Sequence, residues 1–345
     1  MTLRILIAGG YGLVGGHIAR HIRAAGHDAE LLLAGRNPEL GEPLAQELGH
    51  ARAIRLDVAN PGPALADLGA IDLIISALKD PADALIDAAL RAGVAHIGIT
   101  KTCDELGPVL FATRDARPRR PIVMLGHWQA GVMTLVAMKA AESFAHIETV
   151  ETAALYDSLD PIGPMTAGDS EGFFGRALLR RAGAWLWVDP EPNGRHVSRR
   201  DQSGFDALPM GVLDVASLAA MTGAADVRFD LAVGDSLGTQ AGGVASHDIY
   251  IDMTGVLLSG RRGRVRTVIS DPRGQAQLTA VGVLVIAERV LGLDGRPRAE
   301  GGLCGPEALV SADQAISRFQ AFGVRIEHHP MDAVEAAPVL ATAEA

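Results

Sequence analysis

Apolar residues in the first 126 positions fall into short, almost unbroken runs: "RILIAGG" (4–10), "AELLLAG" (29–35), "ARAIRLDV" (51–58), "DLIISAL" (72–78), "AHIGIT" (95–100) and "PIVMLG" (121–126). Runs of this kind predict parallel strands buried on both faces. Between them, "LVGGHIARHIRAAG", "PELGEPLAQELG" and "PADALIDAALRAG" carry apolar residues at helical spacing. Each ends on a glycine, where a helix commonly closes. Six β-α units in this order predict an α/β fold whose first domain is a Rossmann-type, doubly wound parallel sheet.

The pattern changes further on. "QAGVMTLVAMKAAESF" predicts a helix over roughly 129–145, followed by an alternating strand, "IETVETAALYD". Residues 157–212 are rich in Gly, Pro, Asp and Arg around one apolar island, "ALLRRAGAWLWV". From 226 to 271 the strands "VRFDLAV", "HDIYIDMTGVLLSG" and "RVRTVIS" alternate, the last two joined through "SGRRGR" as a hairpin. A long helix over 275–292 is expected to cover one face of this sheet. The reading is a Rossmann domain over 1–128 and a second α+β domain with a largely antiparallel sheet over 129–300. A segment over 301–330 is expected to return to the first domain, and 331–345 to form a disordered tail.

A chain of 345 residues exceeds what one core usually serves, in keeping with two domains. The net charge of −10 offers no basic stripe for nucleic acid. The longest apolar run, "LTAVGVLVIAERVLG", is broken by Glu288 and Arg289 and reads as a buried helix rather than a membrane span. No basic stretch precedes an apolar core at the start, so a cytoplasmic protein is expected, with a small-molecule substrate and a homodimeric assembly. Cys103 and Cys304 form no CxxC and suit a reducing compartment without a metal site. Only three lysines occur, Lys79, Lys101 and Lys139, whereas arginine serves everywhere else. A retained lysine draws notice because it can exchange a proton near neutrality and arginine cannot.

Chemistry concentrates first in "ILIAGGYGLVGGHIA". Gly10, Gly12 and Gly15 stand in G-x-G-x-x-G spacing after a strand and at the head of a helix. The first glycine allows the tight turn, the second lets backbone approach a pyrophosphate, and the third lets helix pack on strand. Tyr11, Leu13 and Val14 fall within the same dinucleotide-binding turn. NAD-specific sites carry Asp or Glu at the end of the second strand. Here Arg36 and Asn37 stand there, and an arginine can accept a 2′-phosphate, so the expected cofactor is NADP(H). Asp57 and Val58 after strand three, and Ala77 and Leu78 after strand four, are assigned to the same cofactor.

The stretches "GGYGLVG", "AGRNPELGEPLAQELG", "IDLIISAL", "ALRAGVAHIGIT" and "GPEALVSADQAISRFQAFGVRI" together resemble the saccharopine dehydrogenase/saccharopine reductase-like family. The resemblance spans most of the chain, densest in 1–126 and 300–326 and loose through 157–225. It implies NAD(P)-dependent oxidoreduction at a carbon–nitrogen bond: a ketimine reduced to a secondary amine, or the reverse. The family is functionally broad, so the substrate does not carry over; the sequence departs from it at 79–80 and 101–104, where "KDP" and "TKTCDEL" stand and where substrate chemistry would differ.

Ligands of open α/β sheets lie beyond the carboxyl ends of the strands. Lys79, Lys101 and His127 follow strands four, five and six and are the candidate catalytic residues. A lysine or histidine there can protonate a developing amine, and either lysine can instead hold a substrate carboxylate or pair with Asp80 or Asp104. Lys139 reads as a mid-helix residue reaching to solvent. Asp169, Ser170 and Glu171 fit a substrate-side loop or a helix start equally well. Tyr11, Tyr156 and Tyr250 lack a lysine four residues on, which excludes the short-chain dehydrogenase dyad. Reduction of a C=C or C=O bond and a non-catalytic NADP(H) sensor stand as the alternatives.

Overall fold

The structure, a computed structural model, describes residues 2–163, 175–199 and 203–331. Asp169, Ser170, Glu171 and the segment 332–345 lie outside the described residues. The first sheet contains β1 (Arg4–Ala8), β2 (Glu30–Gly35), β3 (Ala51–Arg55), β4 (Leu73–Ser76), β5 (Ala95–Gly98) and β6 (Pro121–Met124). The second takes β7 (Phe144–Tyr156), β8 (Ala177–Arg181), β9 (Ala184–Val188), β10 (Arg195–Ser198), β11 (Gly204–Pro209), β12 (Asp226–Val233), β13 (His247–Leu257) and β14 (Arg262–Asp271). β15 (Gly302–Cys304) and β16 (Arg325–Met331) complete the two.

Sheet one is parallel throughout, in the order β15-β6-β5-β4-β1-β2-β3. Its central strands are buried along their length, as their unbroken apolar runs require. Five of the six expected strands stop two to three residues early, because the last residues of those runs form the loops at the carboxyl edge, and β2 ends at Gly35 as expected. Sheet two follows the path β10-β11-β12-β7-β13-β14-β16, with β8 and β9 attached beside β12. It is mixed, since β12 runs parallel to β7. The apolar island of 177–188 is the β8–β9 hairpin, with Trp185 and Trp187 exposed on it.

Segment 301–330 does not return to the first domain as a whole. β15 joins β6 in sheet one, whereas β16 pairs with β14 in sheet two. One core also runs through both halves. In helix Gln275–Leu291 every residue from Ala276 to Leu291 is buried except Thr279 and Arg289. A helix apolar on all sides must be covered on all sides. This one packs against helix Leu13–Ala24 and shares a cluster with Ile249, Ile251 and Ile269 of sheet two.

The helix expected from 129 begins at Val132 and ends at Ala141. Gln129 and Ala130 take φ of 51° and 50°, and Gly131 takes 84°. Three left-handed residues in succession cannot belong to a right-handed helix. Lys139 does not merely reach to solvent, since its ammonium pairs with Glu142 and Asp313, both at 2.7 Å. Among the described residues no helix is long and apolar enough to cross a membrane, and no cluster of His, Cys, Asp or Glu could hold a metal ion.

Candidate functional site

The turn after β1 is built from backbone. Gly9 takes φ of 80°, and the N–H groups of Gly9 and Gly10 donate to the Ala34 carbonyl at 2.8 and 3.2 Å. A Cβ on Gly10 would lie 2.6 Å from the Ile7 carbonyl oxygen, and one on Gly15 would lie 2.1 Å from that of Gly9. Neither position has room for a side chain. Gly12 differs, because a Cβ there would meet only the Gly9 carbonyl oxygen, at 3.2 Å. Its outer side is open. Helix Leu13–Ala24 starts at that opening with no side-chain cap and no acid in its first turn. Leu13 and Val14 thus head a helix whose free N–H groups and positive dipole end suit an anion.

Tyr11 serves the neighbouring turn. A Cβ on Gly35 would come within 2.2 Å of its hydroxyl oxygen and one on Gly41 within 2.6 Å of its ring, and the hydroxyl accepts the Asn37 N–H at 3.0 Å. The turn held in this way presents Arg36, which is exposed and has no hydrogen-bond or ion-pair partner among the described residues. Asp57, exposed two residues beyond β3, uses Oδ1 to accept the Ala59 N–H at 3.0 Å, and Val58 follows it half-buried. Ala77 donates its N–H to the Ala8 carbonyl at 2.9 Å. The Leu78 carbonyl accepts the hydroxyls of Ser76 and Thr100, at 3.3 and 3.2 Å. All these residues lie along the carboxyl edge of sheet one, and the cradle fits a dinucleotide.

The three candidate catalytic residues occupy different surroundings. Lys79 is exposed in the loop after β4, next to buried Asp80, whose carboxylate accepts the N–H groups of Ala84 and Leu85 at 3.0 and 2.8 Å. Lys101 is only 8% exposed. Its Nζ lies 2.6 Å from Asp83 and donates to the Asp80 carbonyl at 3.2 Å, so it ties β5 to the loop carrying Lys79. Beneath it His96 is pushed down to about 4, by burial first and by the Lys101 charge second. Asp104 accepts the Thr102 hydroxyl at 2.5 Å and is not the partner of Lys101.

His127 is buried between the two halves of the molecule. Its Nε2 lies 2.8 Å from Ser217 Oγ, and that hydroxyl donates to Glu307 at 3.3 Å. The ring nitrogen is therefore the donor in a His127–Ser217–Glu307 chain. Burial pushes the His127 pKa down to about 3, so the ring is neutral at pH 7. Beside it Asp214 accepts the Trp128 N–H and the Thr134 hydroxyl, both at 2.6 Å. Burial drives Asp214 up to about 7 against those two hydrogen bonds. His247 Nε2 accepts from Trp128 Nε1 at 3.1 Å and from the Gln129 amide at 2.9 Å.

Asp214, Ser217, His247 and Glu307 were not singled out from the sequence. An aspartate inside the apolar run "GVLDVASL" was the one available sign for Asp214. Glu307 lay within the family-like stretch "GPEALVS" without distinction there.

No family model matches the sequence, and no curated protein matches it significantly. Solved structures match its shape. Saccharopine dehydrogenase (L-Glu forming) from Saccharomyces cerevisiae superposes with a TM-score of 0.70 at 13% identity, over 95% of this chain and 100% of that one. Homospermidine synthase from Legionella pneumophila, solved with NAD, gives 0.68 at 10% identity, over 99% and 94%. The fold is saccharopine dehydrogenase-like. At these identities the likeness concerns architecture, and the family-like stretches quoted above occupy the Rossmann strands and the β15–β16 region of that architecture.

Proposed function

We propose that this protein is an NADP(H)-dependent oxidoreductase acting at a carbon–nitrogen bond, reducing a ketimine to a secondary amine or running the reverse oxidation. The observation that carries the cofactor reading is the open Gly12 face at an uncapped helix start, with partnerless Arg36 at the end of the adjacent strand. Gly10, Gly12, Gly15 and the first turn of helix Leu13–Ala24 would hold the pyrophosphate, and Arg36 the 2′-phosphate. Bound there, the nicotinamide would supply or accept a hydride. The carbon–nitrogen chemistry rests on the family resemblance, with which the shared fold agrees.

The proton at the substrate nitrogen falls to Lys79 in this reading, because it is the exposed one of the two lysines at the carboxyl edge whereas Lys101 is buried. His127 titrates near 3 and holds its donor hydrogen on Ser217, so it is a poor acid at neutral pH. Lys101 is committed to Asp83 and positions the Lys79 loop.

Fluorescence titration of the full chain tests the cofactor reading first: NADPH should bind at least about tenfold tighter than NADH, the worth of one charge-assisted contact. Equal or tighter NADH binding would refute it. NADPH consumption with mixtures of keto acids and amines tests the chemistry. Lys79→Met should lower turnover on the substrate so found about 10²–10⁴-fold, and full activity in that variant would remove Lys79 from the mechanism.

A further inference from the structure

Sheet two carries a cavity that the redox reading does not use. Ile249, Ile251 and Ile269 face helix Gln275–Leu291, so by strand alternation Tyr250 and Val268 face the other way. There they join a separate apolar cluster with Val197, Ala207 and Phe205. On that side lies a cavity of about 740 Å³. Its size falls within the range of about 300–1,000 Å³ typical of small-molecule sites and is far beyond what one bound water needs.

The lining is cationic: Arg199, Arg266, Arg325 and His329 meet one carboxylate, Glu327. Arg266 is neutralised by Asp252, whose two oxygens it meets at 2.7 and 2.6 Å. His329 and Glu327 pair with each other at 3.2 Å. Arg325 has no partner among the described residues. Arg199 lies over the Phe205 ring and donates to the Asp235 carbonyl at 2.8 Å, while its Nε is buried without a partner. Among the described residues, two guanidinium charges thus face the cavity with no carboxylate of their own.

Tyr250 supplies the independent sign. It is 3% exposed, and its O–H finds no acceptor among the described residues. A buried hydroxyl donor left without an acceptor costs about 1–3 kcal/mol, so such groups ordinarily mark a place that something fills. Among acceptors that could answer Tyr250, Arg199 and Arg325 together, an anion gains most, because it also offsets the two guanidinium charges. Leu237 and Val268, also in the lining, ask for an apolar body attached to it.

We propose that this cavity is a second ligand site, for a small organic anion bearing a carboxylate or a phosphate monoester on an apolar body. The site lies on the face of sheet two turned away from helix Gln275–Leu291 and does not depend on the redox reading.

Calorimetric titration of the full chain tests it, with benzoate and phenyl phosphate as probes and benzyl alcohol as the neutral control. One of the two anions should bind saturably at one per chain, equally with and without saturating NADPH, and benzyl alcohol should not. The tighter probe decides between carboxylate and phosphate. Tyr250→Phe and Arg325→Ala should each weaken that binding at least fivefold without lowering the melting temperature, and Tyr250→Phe should raise that of the unliganded chain by removing the unanswered hydroxyl. The proposal falls if neither anion binds, if NADPH competes with it, or if both variants bind as the parent does. It falls equally if no probe binds and Arg325→Glu converts a dimer to a monomer in sedimentation, which would give the cavity to a second copy of the chain.

Discussion

The glycine turn at 9–16 and the junction around His127 both sit at the carboxyl edge of the first sheet, and they are built by opposite means. The turn is contiguous backbone: excluded Cβ positions at Gly10 and Gly15, an open side at Gly12, and the free N–H groups of one helix. The junction is side chain on side chain. Buried His127, Asp214 and His247 and half-buried Ser217 and Glu307 come from widely separated segments and meet in one hydrogen-bonded group around Trp128. Because the turn needs only steric room, it depends on local spacing. The junction needs every partner in place, since a buried polar group without one costs stability.

Substitutions separate the two. Gly15→Val should have the largest effect on cofactor binding: its Cβ would press on the Gly9 carbonyl, whose position the turn fixes, with loss of NADPH binding and a destabilisation of about 1–3 kcal/mol or more. Gly12→Ala is the contrast, expected to fold with a nearly unchanged melting temperature and to bind NADPH more weakly. Equal melting temperatures for Gly15→Val and Gly12→Ala would show that room at the turn is not what distinguishes them.

At the junction, His247→Ala orphans two donors, Trp128 Nε1–H and the Gln129 amide, at about 1–3 kcal/mol each. Urea denaturation should show that loss while the NADPH dissociation constant stays put. A shift in affinity as large as the shift in stability would mean that the two regions are coupled.

Asp214 gives a pH signature. Its carboxyl titrates near 7 in the folded protein and near its ordinary 3.8 when unfolded, so between those values the folded state holds the extra proton. Its contribution is full below about 3.8 and is lost as pH rises through about 7, at most about 1.4 kcal/mol per pH unit. Burial makes His127 and His247, both near 3, act the other way: their contribution is full above about 6.5 and is lost as pH falls toward 3. Asp214→Asn should therefore be less stable at pH 5 and lose less stability than the parent on going from pH 5 to pH 8. An unchanged difference between those two pH values would show that Asp214 is ionised in the fold throughout.

The smallest expected effect on stability is at the exposed edge of the turn. Arg36→Ala should weaken NADPH about tenfold to a hundredfold and leave NADH and stability unchanged.

Much of the first region could be read in advance. The strands of sheet one are apolar on both faces, and that composition survives any tertiary context. Except in β2, their carboxyl ends come earlier than the runs predict, because residues such as Leu78 and Asp57 continue the apolar run or follow it directly, yet leave the ladder for the loops at the carboxyl edge. The start of helix Val132–Ala141 was misread for a different reason. Gln129–Gly131 carry a helical pattern, but a Cβ on Gly282 would overlap the Gln129 and Ala130 carbonyls at 2.6 Å, and one on Gly131 would overlap Pro306. Those close approaches hold the left-handed backbone at a cost of about 1–3 kcal/mol per non-glycine residue, and no local propensity reports them.

Local order alone thus determined the β-α succession, the hairpin of 247–271, the glycine turn and the presence of Arg36 where an acid often stands, since each depends on residues close together along the chain. Tertiary structure decided that β16 leaves the first sheet for the second and that helix Gln275–Leu291 joins both halves in one core. It decided that Lys101 is committed to Asp83, that His127 is neutral, and that Tyr250 faces a cationic cavity. Each of these turns on burial and on partners tens to hundreds of residues away, quantities that come into being only once the chain has closed on itself.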